Sequence, residues 1–176
     1  KLLGFVRKTD FDLKPHSVRR LIDSVVDGLL GPEMAVSNIE LIRDFKPNVP
    51  EIVTDGNQFQ QVLLNIINNA RDAIVGPGKI TITTSFVDGM VQITIADTGK
   101  GVAPDRMDKI FMPFYTTKEV GKGTGLGLSV SYGIIRSLGG TITVDSTVGA
   151  GTTFTIRMPL RPGRTNASEP AGRKTV

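Results

Sequence analysis

Apolar side chains along this chain recur at two spacings, and the switches between them mark out its elements. Residues 1–10 hold a short apolar patch, Leu2, Leu3, Phe5 and Val6, read as the end of a helix begun upstream. Residues 11–14 read as extended and stopped by Pro15. Residues 16–30 place Val18, Leu21, Ile22, Val25, Val26 and Leu29 at helical spacing, ending at Gly31-Pro32. Residues 39–45 alternate through Ile39, Leu41 and, after a slip, Phe45, which predicts a strand. The strongest helical pattern spans residues 58–74 and is closed by Gly76, Pro77 and Gly78. Two strands follow, residues 79–87 and 90–96, joined by Asp88-Gly89, a strong hairpin signal. A short helix over residues 104–111 and a long loop over 112–123 come next. Leu128, Val130, Ile134, Ile135 and Leu138 then define another helix, and residues 141–145 and 152–158 are strands about a turn with Gly149 and Gly151. The pattern contains no internal repeat. It predicts an α+β fold, a two-layer α/β sandwich with an antiparallel-rich sheet.

The polar positions are as informative as the apolar ones. With 3.6 residues per turn, Gln58, Gln61, Asn65, Asn68, Asn69 and Asp72 fall within about 60° of Asn65. That face is almost all amides, whereas solvated faces favour Glu, Lys and Arg. Amides offer a carbonyl oxygen to a metal and an N–H to an anion, so the face reads as lining a pocket suited to Mg²⁺ and phosphates. A second cluster, Asp97-Thr98-Gly99-Lys100-Gly101, follows the strand 90–96. Its carboxylate suits the amino group of adenine and its glycines a close backbone approach; a plain turn capped by Asp is the alternative. A third, the run GKGTGLGLS from Gly121 to Ser129, leads into a helix start, where bare N–H groups and the dipole favour phosphate. By itself the run equally suits a glycine-rich surface loop.

Composition narrows the chemistry. A chain of 176 residues, 39% hydrophobic and 22% charged, suits one soluble globular domain. There is no cysteine and one histidine, His16, which removes thiolate chemistry and any histidine-rich metal centre. The net charge of +4 is modest, shows no aromatic interleaving, and is concentrated partly in residues 161–176, a Pro/Gly-containing stretch read as a disordered basic tail. Nucleic acid is therefore not an expected partner. No apolar run approaches the ~20 residues that span a bilayer, so no direct membrane contact is expected. The chain opens on Lys1 and is read as a piece of a longer protein. It lacks the Gly-Lys-Ser/Thr of a P-loop, and neither glycine cluster supplies GxGxxG.

Taken in order, NNARDA, DTGKGV, IFMPFYTTK, GKGTGLGLSV and GAGTTFTI resemble the N, G1, F, G2 and G3 boxes of sensor histidine kinases. The resemblance covers roughly residues 11–160, and FYTTK and GTGLGLSVSYGII are most similar to the nitrogen-regulation and dicarboxylate-sensor type. It implies the Bergerat ATP-binding fold shared with type II topoisomerase, MutL and Hsp90 ATPases: a mixed, mostly antiparallel sheet, helices on one face, and a flexible ATP lid. Carried over by position, Asn65 and Asn69 would be the catalytic pair, Asn69 as Mg²⁺ ligand and Asn65 one turn back at the phosphates, with Asp72 beyond. Asp97 would take the adenine amino group, with Gly99 and Gly101 shaping that pocket. Phe111 and Phe114 would anchor the ends of the lid's first turn, with Thr117 and Lys118 near the phosphates. Gly121, Lys122, Gly123, Thr124, Gly125 and Gly127 would wrap the triphosphate, while Leu126 and Leu128 pack the next helix and Thr152 follows the last turn.

Two departures qualify the resemblance. Hydrolysing relatives carry a glutamate base where Asn65 stands, and an amide cannot act as a base, which implies slow hydrolysis and ATP reserved for a protein acceptor. His16, in LKPHSVRR, lacks the acid and following pattern of a phosphoacceptor and is expected to be a surface histidine. The resemblance thus implies a cytoplasmic kinase domain using ATP and Mg²⁺. Its partners would be a histidine-containing dimerisation domain of the parent protein and a response regulator. A regulatory nucleotide-binding module and a true ATPase are the competing functions.

Overall fold

A computed structural model describes residues 10–118 and 123–163. The expectations for residues 1–10 and 161–176 fall almost wholly outside that range, as do Gly121 and Lys122. The chain opens with strand β1 (Leu13–His16), helix α1 (Val18–Asp23) and a π-helical turn over Ser24–Leu29, followed by α2 (Gly31–Val36). Then come β2 (Ile39–Phe45), β3 (Ile52–Asp55) and the long α3 (Gly56–Ala73). The hairpin β4 (Gly78–Val87) and β5 (Met90–Asp97) leads through a 3₁₀ turn at Pro104–Lys109 to α4 (Gly127–Ser137), β6 (Thr141–Thr147) and β7 (Gly151–Pro159).

Five strands form one sheet in the order β2-β4-β5-β7-β6, parallel between β2 and β4 and antiparallel elsewhere. Alternation decides its faces: Ile80, Ile82, Val91, Ile93, Ile95, Phe154 and Ile156 are buried, while Thr81, Thr83, Thr94 and Thr155 point to the other side. Onto the apolar face α3 lays Phe59, Val62, Leu63, Ile66, Ile67 and Ala70, all buried. Each of these side chains other than that of Ala70 contributes about 1.5–3 kcal/mol by leaving water. Asp55 starts α3 as its N-cap, accepting from the Gln58 N–H at 3.0 Å, and its other oxygen accepts from Asp12 N–H at 2.9 Å. The expected sandwich with helices on one face is the one observed.

Several local readings need correction. Pro15 does not stop β1: it pairs opposite Val53 in a separate two-stranded sheet with β3, where an edge strand tolerates a missing N–H. The strand β3 was not anticipated, because four residues after Pro50 are too few to show a period. Gly31-Pro32 ends one helix but begins another, since proline is tolerated in a helix's first turn. The alternation in β2 has no slip. Position 43 lies in phase with Leu41 and Phe45, and Arg43 is held there by ion pairs to Asp23, at 2.7 Å, and Asp27. The hairpin turn fits its sequence: Asp88 and Gly89 have φ of 52° and 73°, as a type I′ turn requires.

Candidate functional site

The C-terminal ends of α3 and β5, the turn between β6 and β7, and the segments flanking α4 surround a cavity of about 1020 Å³. Eight residues expected at a site line it: Asn69, Asp72, Asp97, Gly101, Thr117, Lys118, Leu128 and Thr152. They come from separate stretches that only the fold brings together.

Asp97 sits at the end of β5, flanked by Ile80 on β4 and Thr152 on β7, and is only 7% exposed. Burial pushes its carboxyl above the ordinary carboxylate range, opposed by backbone hydrogen bonds from Gly99 and Thr152. The Gly99 N–H donates to Oδ1 at 2.8 Å. The glycines around it serve close approach, but to the protein's own backbone. A Cβ on Gly99 would lie 2.6 Å from the Ala73 carbonyl oxygen, and one on Gly101, at φ 71°, 2.2 Å from that of Thr147. Backbone bonds from Lys100 N–H to Ala73 and from Gly149 N–H to Lys100 then lock α3, this turn and the β6–β7 turn together.

The amide face of α3 divides along its length. Asn69 and Asp72, in the last turns, reach the cavity. Asn65 does not line it: its Nδ2 donates to the Gly127 carbonyl and to Ser131 Oγ, both at 3.1 Å, and its Oδ1 accepts from Gln61 at 3.2 Å. Asn65 therefore fastens the start of α4 to α3. His16 lies against Gly56, at the opposite end of α3, about 20 Å along the helix from Asn69 at 1.5 Å per residue.

The two phenylalanines have different fates. Phe111 packs against Tyr132 and Phe154, with ring centroids 5.4 and 6.3 Å away, and so anchors the loop. Phe114 is 75% exposed with φ 64°, so it anchors nothing by burial. Its backbone instead touches Gly125, whose φ is 67° and whose Cβ would fall 2.5 Å from the Phe114 carbonyl carbon. Among the described positions of the run, Leu128 is on the lining, while Gly123, Thr124, Leu126 and Gly127 are not. Gly123 abuts Lys118 and Thr116, Thr124 Oγ1 accepts from Leu126 N–H at 3.3 Å, and Leu126 caps α4 ahead of Gly127. Residues that sequence reasoning missed on the lining include Ile110, Tyr115, Val148, Phe154, Lys100 and Arg106. Most of these sit inside or beside the quoted motifs, but nothing in their spacing marked them as facing inward.

Among the described residues no group of three or more His, Cys, Asp or Glu side chains could hold a metal, and no helix is long and apolar enough to cross a membrane. The lining thus combines one buried carboxylate, one amide and several cations around an apolar floor, an arrangement that takes a flat polar base joined to an anionic group. A family match agrees: residues 54–162 fit the family described as histidine kinase-, DNA gyrase B-, and HSP90-like ATPase. The chain belongs to that family.

Within it, the similarity is to sensor kinases. The chain is 41% identical over 175 residues to sensor kinase CckA of Brucella abortus, covering 90% of this chain and 18% of that protein. It is 39% identical over 160 residues to sensor histidine kinase ZraS of Escherichia coli K12, covering 91% and 34%. ZraS is of the nitrogen-regulation-like type that the FYTTK fragment resembles. Full-length ShkA in complex with AMPPNP superposes with a TM-score of 0.77 at 31% identity, over 88% of this chain and 32% of that one. The chain therefore spans about a fifth to a third of the length of the curated relatives it matches.

Proposed function

We propose that residues 11–160 form the catalytic and ATP-binding domain of a two-component sensor histidine kinase. The domain binds Mg·ATP and transfers the γ-phosphoryl group to a histidine elsewhere in the parent protein, for relay to a response regulator. One observation carries the reading: Asn69 and Asp97, from two separate motifs, line a single cavity with Lys118. Asp97 accepts a hydrogen bond from the adenine amino group, and guanine, with an acceptor oxygen at that edge, is rejected. Thr152 and Gly101 bound the base, and Lys118 and Thr117 meet the phosphates. The chemistry then rests on positioning and charge, with little covalent work for the protein.

The donors suit a magnesium ion. The Asn69 side chain offers a neutral oxygen on the cavity lining and has no hydrogen-bond partner among the described residues. Such a site leaves the ion its waters and the substrate's phosphates as ligands. The ion would supply neutralisation of phosphate charge. Asn65, its Nδ2 held to α4 and its Oδ1 to Gln61 of α3, is an amide and cannot serve as a hydrolytic base, which favours a kinase over a true ATPase. The test is to mix the chain with Mg·ATP and the parent's histidine hairpin and look for phosphohistidine, expected with wild type and absent with Asn69→Ala. Nucleotide binding that stays normal and Mg²⁺-dependent in Asn69→Ala would overturn the metal assignment. Absence of phosphohistidine with wild type would leave the regulatory-module reading.

A further inference from the structure

Two cations on the cavity lining, Arg71 in the last turn of α3 and Lys118 in the segment before α4, are already paired. Arg71 meets Glu33 and, at 3.3 Å, Asp72 Oδ1. Lys118 Nζ meets Asp72 Oδ2 at 2.5 Å. Asp72 thus holds both cations, one on each carboxylate oxygen, across 46 residues of sequence in the case of Lys118. It also lines the cavity three residues after Asn69, on the same face of a rigid helix. The side chains of this ion pair are about one-third exposed, 33% for Lys118 and 36% for Asp72, so water reaches both and the pair can exchange.

A carboxylate and a terminal phosphate offer a lysine ammonium the same thing, an anionic oxygen acceptor, and an ammonium on a four-carbon stem moves between such acceptors without a fixed fork geometry. We propose that Asp72 is a positioning residue that occupies Lys118 in place of the nucleotide's terminal phosphate, so that triphosphate binding is an exchange of ion-pair partner. This rests on the ATP-binding reading above and deepens it, because it changes what Asp72 does there. Asp72 is a competitor of the nucleotide rather than a ligand to it. It keeps Lys118 parked on the cavity wall, and it makes the ammonium available only to a ligand that outbids a carboxylate. A diphosphate, lacking the last phosphoryl group, leaves Lys118 where it is.

The proposal separates Asp72 from a nucleotide contact. Calorimetric titration of ATP and ADP, with Mg²⁺, into wild type, Asp72→Asn, Lys118→Met and the double variant reads it directly. Asp72→Asn is expected to bind ATP about two- to fivefold more tightly, the scale of a partly exposed ion pair, with ADP unchanged. Lys118→Met is expected to lose affinity for ATP but not ADP, and in its background Asp72→Asn should change nothing. Weaker ATP binding in Asp72→Asn, an equal effect on ADP, or an effect that survives Lys118→Met would each overturn the exchange while leaving ATP binding itself intact. A wild-type chain that binds neither nucleotide would overturn the underlying reading, and the exchange with it.

Discussion

Asp97 is under two opposed demands. In the role proposed for it, it must stay ionised to accept from adenine, yet it is buried, and burial raises its pKa in the folded chain. A carboxyl whose folded pKa is raised binds its proton more tightly folded than unfolded, so its charged form destabilises the ligand-free fold. That penalty is fully present above the raised pKa and is relieved as pH falls through it towards the ordinary carboxylate value. Asp97→Asn should therefore raise the melting temperature of the ligand-free chain at neutral pH, and the gap from wild type should close in acid, as followed by calorimetry. The same substitution should weaken ATP by about 1.5–3 kcal/mol, the range for a hydrogen bond to a charged group. A variant that is both less stable and undiminished in ATP affinity would remove Asp97 from both roles. The sequence marked Asp97 by its neighbouring glycines, but burial, the cause of this conflict, was not legible there. It depends on β4 and β7 flanking the end of β5.

At the scale of elements, the glycines separate by what a methyl group would meet. Gly125 at φ 67° stands against the Phe114 backbone, so the segments before and after residues 119–122 meet at their base. Gly133, inside α4, has nothing within 4 Å of its Cβ position. Gly125→Ala should lose both chain stability, by about 1–3 kcal/mol, and nucleotide affinity, since it strains a left-handed residue against a backbone crossing. Gly133→Ala should instead gain about 0.5–1 kcal/mol from helix propensity with ATP affinity unchanged. Denaturant unfolding and nucleotide titration of both variants check the pair, and normal binding by Gly125→Ala would reduce the run to a connector. From sequence, the alternating glycines looked like one phosphate cradle. In the fold, Gly125 shapes a backbone crossing and Gly127 opens α4 beside Asn65, whose Cγ a Cβ at residue 127 would meet at 3.6 Å.

For the whole molecule, the cavity is assembled from the ends of α3, β5, β7 and α4, so a ligand that fills it ties those elements together. A ligand that binds only the folded chain stabilises it by about 2.7 kcal/mol at a hundred times its dissociation constant. For a domain of this length that corresponds to roughly 5–11 °C in melting temperature. ATP should produce such a shift in thermal unfolding and GTP at the same concentration should not; equal shifts would refute adenine selection.

The sequence by itself determined the elements with a long, clear period: α3, the β4–β5 hairpin, α4 and the closing strands. There the apolar spacing is set by burial on one face, which leaves a local record. It also supplied the candidate chemistry, through the amide face of α3 and the ordered set of motifs, although the Asp97 turn and the glycine run each had a plain structural alternative when read alone. Only the tertiary structure decided which of those side chains face the cavity. Asn65 and Asn69 lie one helical turn apart on the same face, and α4 packs over one and leaves the other open. The pairing of Asp72 with Lys118 and the exposure of Phe114 were likewise decided there. Contacts between residues far apart in the chain depend on how layers pack, and packing leaves no periodic trace in either partner's own stretch.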